Sequence, residues 1–269
     1  MRYREAMADE DRDDAPAPGD DPAPDGGAGL RRTLELLWEP PRDVDGARAD
    51  RGGLTRDAIV AAAVSIADRD GLEGVSMRAV ARELGAGTMS LYRHVPGKDE
   101  LLALMVDAVT AGTAPELTGD WREDLRRFAE SEWEFGHRHP WTLTVSRVVV
   151  GPATLASFET ALAAAAQTGL PDREVVSIVV AVLNLAMGAT RVSAEARAAT
   201  RRTGLDDERW WELQVPVLER HLDEATTPVL QRIYAGGALA ASTTDPRAEF
   251  EASLELLLDG VAQRVAAAG

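Results

Sequence analysis

The chain has 269 residues, 45% of them hydrophobic, so it can bury a sizeable core in one or two domains. It has no cysteine, which excludes disulfides and thiolate metal sites and is typical of a reducing cytoplasm. The net charge is −16, with nine acidic residues and three arginines in residues 1–30. Residues 51–110 hold seven basic and eight acidic residues. A locally basic, phosphate-binding surface there is not excluded, because salt screens each charge beyond about 10 Å.

The first 50 residues are predicted to be an acidic, disordered tail and linker. Residues 1–29 are rich in Asp, Ala, Pro and Gly, and such a stretch buries too little apolar surface to offset its ordering entropy. A short helix is possible over Leu30–Trp38, ended by Pro40 and Pro41. The acidic start is unlike a signal peptide, and we find no apolar run of about 18 residues or more. We therefore expect a cytoplasmic protein with no membrane partner.

From Thr55 onward the apolar spacing is helical and no strand is predicted. A helix lies between the N-cap Thr55 and the C-cap Gly71. Further helices are predicted at Ser76–Leu84, Thr88–Val95, Asp99–Val109, Trp121–His137, Trp141–Val150, Pro152–Thr168, Asp172–Ala198, Asp207–Ala225, Pro228–Tyr234 and Pro246–Ala267. The fold class is therefore all-α.

The stretch Ser76–Val95 has the layout of a helix-turn-helix, whose second helix enters the major groove of DNA. The first helix is short and apolar on one face, and Gly85 begins a tight turn of three residues. The second helix would bury Leu91 and Val95 and present small polar groups on its other side. Other helix pairs meet some of these conditions, so the layout alone leaves the function open.

The string Leu91-Tyr92-Arg93-His94-Val95, followed by Gly97-Lys98-Asp99, is more specific. With its surroundings it closely resembles the DNA-binding region of TetR-family regulators, without a gap over residues 55–109. A looser resemblance, through Gly119, Trp121 and the corner His139-Pro140-Trp141, is to the regulatory domain of the tetracycline-repressor branch. The resemblance implies a helix-turn-helix DNA-binding domain over residues 51–98 and a larger helical domain for ligand binding and dimerisation over residues 99–269.

The resemblance also implies which residues contact DNA. Thr88, Met89 and Ser90 would face bases, and Met89 suits a thymine methyl group. The phosphate backbone would be contacted by Tyr92, His94 and Lys98, while Arg78 and Arg93 could reach either a base or a phosphate. Gly87 departs from many relatives, which carry a larger residue in the turn. The full set of expected DNA contacts is Arg78, Gly87, Thr88, Met89, Ser90, Tyr92, Arg93, His94 and Lys98.

A polar cluster in the second half, containing Glu132, Glu134, His137 and His139, raises the alternative of metal-assisted hydrolysis. His137 and His139 are two residues apart and so point to different helix faces. We expect no catalytic residue, no metal and no cofactor, and therefore no enzyme.

A small-molecule effector pocket between the helices is the preferred interpretation, because such pockets are mostly apolar with a few polar groups. Ala114 and Ser146 stand where we expect the histidines of tetracycline repressor, so tetracycline is not the expected effector. The candidate pocket residues are Phe128, Glu132, Trp133, Phe135, His139, Trp141, Asn184, Met187 and Arg191. Each could equally be ordinary core.

The helices Asp172–Ala198 and Pro246–Ala267 are candidates for a dimer interface, since the first is apolar all round. In the family the matching pair resembles a four-helix interface. The predicted contacts are Val179, Leu183, Leu254, Leu257, Leu258 and Val261, with burial inside one chain as the alternative. The sequence thus predicts a repressor that binds a palindromic operator, a double-stranded DNA site, as a homodimer and that a small molecule releases. A helical enzyme and an interaction protein without DNA binding are the rival readings.

Overall fold

The computed structural model describes residues 26–39, 54–221, 225–237 and 245–268, and within these it contains helices and no strand. Most of the predicted tail, residues 1–25, and most of the linker lie outside the described residues, whereas residues 26–29, also assigned to the tail, begin a helix. The α-helices are α1 Gly26–Trp38, α2 Arg56–Asp70, α3 Met77–Glu83, α4 Thr88–Leu91, α5 Lys98–Thr110, α6 Trp121–Arg138, α7 Pro152–Ala166, α8 Asp172–Thr203, α9 Asp207–Leu218, α10 Pro228–Ala235 and α11 Pro246–Ala268. Short 3-10 helices lie at Pro140–Thr144 and Glu219–His221.

The first core holds together α2, α3, α4 and α5. Ile59, Val80, Leu91 and Met105, one from each helix, are fully buried in it. Both predicted N-caps are present: the Thr55 hydroxyl accepts a hydrogen bond from the Ala58 amide at 3.1 Å, and the Ser76 hydroxyl accepts one from the Ala79 amide at 3.1 Å. The two helices therefore begin where their capping residues predict.

The second core is a bundle of α6, α7, α8 and α11. The ring of Trp133 on α6 stacks on Phe250 of α11 with their centroids 4.8 Å apart, and both side chains are buried. Helix α8 packs against the other three helices of the bundle. By length and composition α8 could cross a membrane, but the buried helix of a folded core passes the same test.

The bundle core corrects most of the predicted dimer contacts. Val179, Leu254, Leu258 and Val261 are buried inside the single chain, so their side chains are not available to a partner. Leu257 is half-buried against the same core, and Leu183 also lines a cavity described below. The apolar residues that α8 and α11 expose are Val176, Val180, Met187, Val192 and Leu256.

Four predicted helix ends differ from the structure by several residues. The α-helix predicted over Asp207–Ala225 ends at Leu218 and is followed by the 3-10 helix Glu219–His221. The predicted helix Trp141–Val150 is a 3-10 helix, Pro140–Thr144, after which Val145 adopts an extended conformation. Helix α4 ends at Leu91, although hydrogen bonds from the His94 and Val95 amides to the Leu91 carbonyl continue as turns. Helix α8 continues to Thr203, where Gly204 at φ 72° caps it.

Helix α1 joins the two halves, which the sequence did not indicate. It packs on α5. The carbonyl of Leu36 accepts a hydrogen bond from Arg56 Nη1 at 2.7 Å, and Trp38 Nε1 donates to the carbonyl of Val150 at 3.0 Å. Arg56 begins the DNA-binding half and Val150 precedes α7, so α1 contacts both parts of the chain.

Candidate DNA-reading surface and effector cavity

The turn and the short helix α4 form one exposed polar surface. Gly85 has φ 63°, a left-handed conformation that favours glycine and lets the chain turn sharply between α3 and α4. Gly87 is in ordinary extended geometry, and a side chain there would meet only Ser90 Oγ, at 3.7 Å. The fold therefore requires glycine at 85 but not at 87.

The recognition segment, residues 88–95, has the buried side and the exposed side that the sequence predicts. Leu91 and Val95 are completely buried, whereas Met89 is 78% exposed and Tyr92 is 43% exposed. Met89 and Tyr92 are therefore both accessible to a partner at this surface. Thr88, Ser90 and His94 are half-buried at the edge of this surface.

Three cations surround the recognition segment. Arg78 on α3, Arg93 after α4 and Lys98 at the start of α5 are all exposed. Arg93 Nη2 lies 3.4 Å from Ser90 Oγ, and Lys98 Nζ lies 3.5 Å from the Leu72 carbonyl, both long contacts that a phosphate could replace. The predicted DNA-contacting side chains are thus solvent-accessible to different degrees on α4 and the elements next to it in the chain, and the three cations among them are exposed.

A cavity of about 260 Å³ lies between the two cores. Helix α5, helices α6 to α8 and the segment after α6 line it. Its lining residues are Val106, Thr110, Thr113, Phe128, Glu132, Phe135, Gly136, Thr142, Leu143, Val148, Thr154, Ser157, Phe158, Leu183 and Met187. The wall is therefore mostly apolar, with hydroxyl groups and one ionisable side chain.

Four of the nine predicted pocket residues line this cavity: Phe128, Glu132, Phe135 and Met187. The other five do not. Trp133 is in the bundle core, and Asn184 is exposed. Arg191 donates a hydrogen bond to the Leu143 carbonyl at 2.6 Å and lines a separate, more open depression.

His139 and Trp141 have a different role from the predicted one. Trp141 Nε1 donates a hydrogen bond to Asp68 Oδ1 at 2.8 Å, and His139 Nδ1 lies 2.8 Å from the same oxygen. Trp141 is buried in the first core, and Asp68 belongs to α2. These two side chains therefore fasten the segment after α6 to the DNA-binding half.

The polar cluster considered for metal-assisted hydrolysis does not converge. The Glu132 side chain lines the cavity, whereas Glu134 is exposed. His137 is hydrogen-bonded to the Trp133 carbonyl at 2.8 Å and to Ser193 Oγ at 2.9 Å, and burial is the main cause that lowers the pKa of this imidazole. His139 is engaged with Asp68, so the four side chains point to different surroundings.

The prediction missed the contribution of α5 and α7 to the cavity. Val106 and Thr110 come from α5, and Thr154, Ser157 and Phe158 come from α7. Phe158 is the only aromatic residue of an otherwise alanine-rich helix, which is the one signal in the sequence that could have included it.

Comparison with known proteins divides the chain at the same place as the two cores. Residues 59–105 match the family described as bacterial regulatory proteins, tetR family. Residues 114–265 match the tetracyclin repressor-like C-terminal domain. The HTH-type transcriptional repressor DrrR1 of Streptomyces coeruleorubidus is 42% identical over 247 residues, which cover 90% of this chain and 88% of that protein.

Solved structures have the same architecture. Apo ActR from Streptomyces coelicolor superposes with a TM-score of 0.67 at 26% identity, covering 83% of this chain and all of ActR (100%). ActR in complex with (S)-DNPA superposes with a TM-score of 0.64 at 25% identity, covering 78% of this chain and 98% of that one. Similarity in sequence and in structure thus extends over both halves of the chain.

Proposed function

The chain belongs to the TetR family of bacterial regulatory proteins, and from this premise we propose that it is a transcriptional repressor that a small molecule releases from its operator. One observation carries the proposal: an exposed Met89, beside Ser90 and within a rim of cations, projects from the second helix of a helix-turn-helix. A helix presented in this way reads base edges, while cations at the rim bind phosphates. The proposed protein is a cytoplasmic regulator and not an enzyme.

We propose that the protein binds its operator as a homodimer. A two-fold symmetric dimer places two identical recognition helices on a palindromic DNA site. The supporting feature is a second apolar stripe, Val176 and Val180 on α8, with Leu256 on the neighbouring helix α11. Leu256 is 75% exposed in the single chain, and an exposed apolar stripe of this kind is typical of a protein–protein interface. The helices are those that the sequence predicted, but the residues are on their outer faces.

The effector is proposed to bind in the cavity between the two cores. Several of the lining residues, among them Thr142 and Leu143, belong to the segment that Asp68 holds against α2. A ligand that moves this segment would change the position of the DNA-reading helix. Half-sites on one face of DNA lie about 34–36 Å apart. A change of a few ångströms in the spacing of the dimer's two DNA-reading helices would therefore prevent them from binding both half-sites at once.

The proposal is tested by a gel shift with DNA from the region upstream of the gene that encodes the chain. We expect a salt-sensitive complex, because phosphate contacts release counterions, and a footprint with two-fold symmetry. A fragment of the same length from within the coding sequence is the control. Equal affinity for both fragments at every salt concentration would contradict the proposal.

A further inference from the structure

The polar groups that line the cavity are almost all used within the chain. The hydroxyl of Thr110 donates to the Val106 carbonyl at 2.9 Å, and that of Thr113 donates to the Thr110 carbonyl at 2.8 Å. The Thr142 hydroxyl donates to the His139 carbonyl at 2.7 Å, and Thr154 is bonded to Asp107 through both its amide and its hydroxyl. These groups leave few free donors for a ligand.

Glu132 is the exception. Among the residues that the structure describes, its carboxyl group has neither a hydrogen-bond donor nor a cation beside it, and it is the one ionisable side chain of the lining. The only other lining side chain with an unused hydrogen-bonding group is the hydroxyl of Ser157. Asp107, close to the same wall, differs from Glu132 because its Oδ1 accepts hydrogen bonds from both groups of Thr154.

The Glu132 side chain is only partly buried, but its carboxylate lies against a largely apolar wall, so it loses part of its hydration and no donor among the described residues replaces it. Burial raises the pKa of Glu132 to about 7. A cation placed against the carboxylate would replace the hydration that the carboxylate has lost. Three phenylalanines in the wall offer apolar surface to the rest of the same molecule.

We propose that the effector of this cavity is an organic cation, a planar apolar molecule with a basic nitrogen that pairs with Glu132. The proposal rests on the proposed function, since it names the chemical class of the molecule that would release the operator. The aromatic faces of Phe128, Phe135 and Phe158 would hold the ring system, and the carboxylate of Glu132 would select its charge.

The test uses three probes that share one ring system and differ in charge at pH 8. The first is 9-aminoacridine, a cation; the second is acridine, which is neutral; the third is acridine-9-carboxylate, an anion. Binding to the full chain is followed by probe fluorescence. We expect about tenfold or tighter binding of the cation than of acridine, the usual size of a charge-assisted hydrogen bond, and weakest binding of the anion.

The matched variants are Glu132→Gln and Glu134→Gln, on the same helix. Glu132→Gln should lose the preference for the cation over acridine, whereas Glu134→Gln, whose side chain is exposed, should keep it. Equal binding of the cation and acridine by the unmodified protein, or no binding of 9-aminoacridine, would overturn the inference. So would an unchanged preference in Glu132→Gln.

Operator binding in the same preparations keeps the two proposals apart. A protein that binds its upstream DNA but does not prefer the cation is a repressor with another class of effector, so only the inference fails. If the protein prefers the cation through Glu132 but does not bind its upstream DNA, the proposed function is contradicted and the inference about the ligand is not.

Discussion

At the scale of single residues, Met89 and Lys98 are expected to separate sequence reading from phosphate binding. Lys98→Ala should weaken binding by a similar factor on every DNA sequence and reduce the slope of log affinity against log salt by about one unit, because one phosphate contact is lost. Met89→Ala should leave the slope unchanged but alter the preference at one base pair by about 1–3 kcal/mol. Titrations with single-base variants of the operator, each at several salt concentrations, measure both effects.

Each of these two variants is the control for the other. If Lys98→Ala keeps the full salt slope, Lys98 does not contact a phosphate. If Met89→Ala binds all operator variants with the original order of preference, the recognition helix presents a different face to the bases.

At the same scale, the sequence predicted part of the cavity because helix geometry is regular. Phe128, Glu132 and Phe135 are spaced i, i+4 and i+7, so they share one face of α6, which turns out to be the face that lines the cavity. Trp133 is one residue further round the helix and faces Phe250 instead. His139 and Trp141 follow the end of the helix, where no periodicity relates a residue to a face.

At the scale of helices, the approach of α6 to α8 depends on Gly136. A Cβ atom at this position would lie 2.6 Å from Cγ2 and 3.5 Å from Cβ of Thr190, which is completely buried. Close-packed interiors do not relax freely around an added methyl group. Gly136→Ala should therefore lower the free energy of unfolding by about 1–3 kcal/mol, despite the better helix propensity of alanine.

Gly29→Ala on α1 is the matched control. Nothing lies within 4 Å of a Cβ atom there, so this variant should be neutral or slightly more stable. Urea unfolding followed by circular dichroism compares the two variants with the original chain. A Gly136→Ala protein as stable as the Gly29→Ala protein would show that α6 and α8 are not held at this distance by their contact.

The sequence predicted most helices and their starts, because caps and prolines act locally. It failed where the local pattern was ambiguous. Helix α8 has apolar residues on more than one face, and the sequence could not tell the stripe that packs in its own bundle, with Val179 and Val182, from the stripe with Val176 and Val180 that remains exposed. The choice depends on where α6, α7 and α11 lie, which is tertiary information.

At the scale of the whole molecule, Leu256→Arg is expected to separate the two protomers. In the proposed dimer this side chain is covered by the partner, and placing a charged arginine in that apolar contact would carry a large desolvation cost. Analytical ultracentrifugation should show monomer, with loss of most of the affinity for the full palindrome. Leu117→Arg, at an exposed position before α6, is the control and should remain dimeric.

A dimeric Leu256→Arg protein would place the interface elsewhere on the surface. Helices α9 and α10, which contribute no residue to either core, would then be the next region to test. Trp210 and Leu213 on α9 and Val229 on α10 are each about half exposed.

The two halves of the molecule meet at Asp68, and this contact predicts how they communicate. Its carboxylate accepts a hydrogen bond from the indole Nε1–H of Trp141 and contacts the His139 ring. The 3-10 helix that contains Trp141 also supplies Thr142 and Leu143 to the cavity. A ligand shifts the equilibrium between two spacings of the DNA-reading helices only by the difference in its affinity for the two conformations. Operator DNA must consequently weaken ligand binding by the same factor by which the ligand weakens operator binding, typically about 5- to 150-fold.

Asp68→Ala should reduce that factor towards one. The variant removes the acceptor that carries movement of the cavity segment to α2, so we expect ligand and operator to bind almost independently. Asp70→Ala, on the same helix but paired with Arg69, is the control and should keep the coupling, because Asp68 and not Asp70 accepts the hydrogen bond of Trp141. Calorimetry with a compound that releases the operator, titrated with and without operator DNA, gives the two affinities. If Asp68→Ala retains the full ratio, the signal does not pass through Asp68, and α5 is the next candidate, since that helix also lines the cavity and packs against α2.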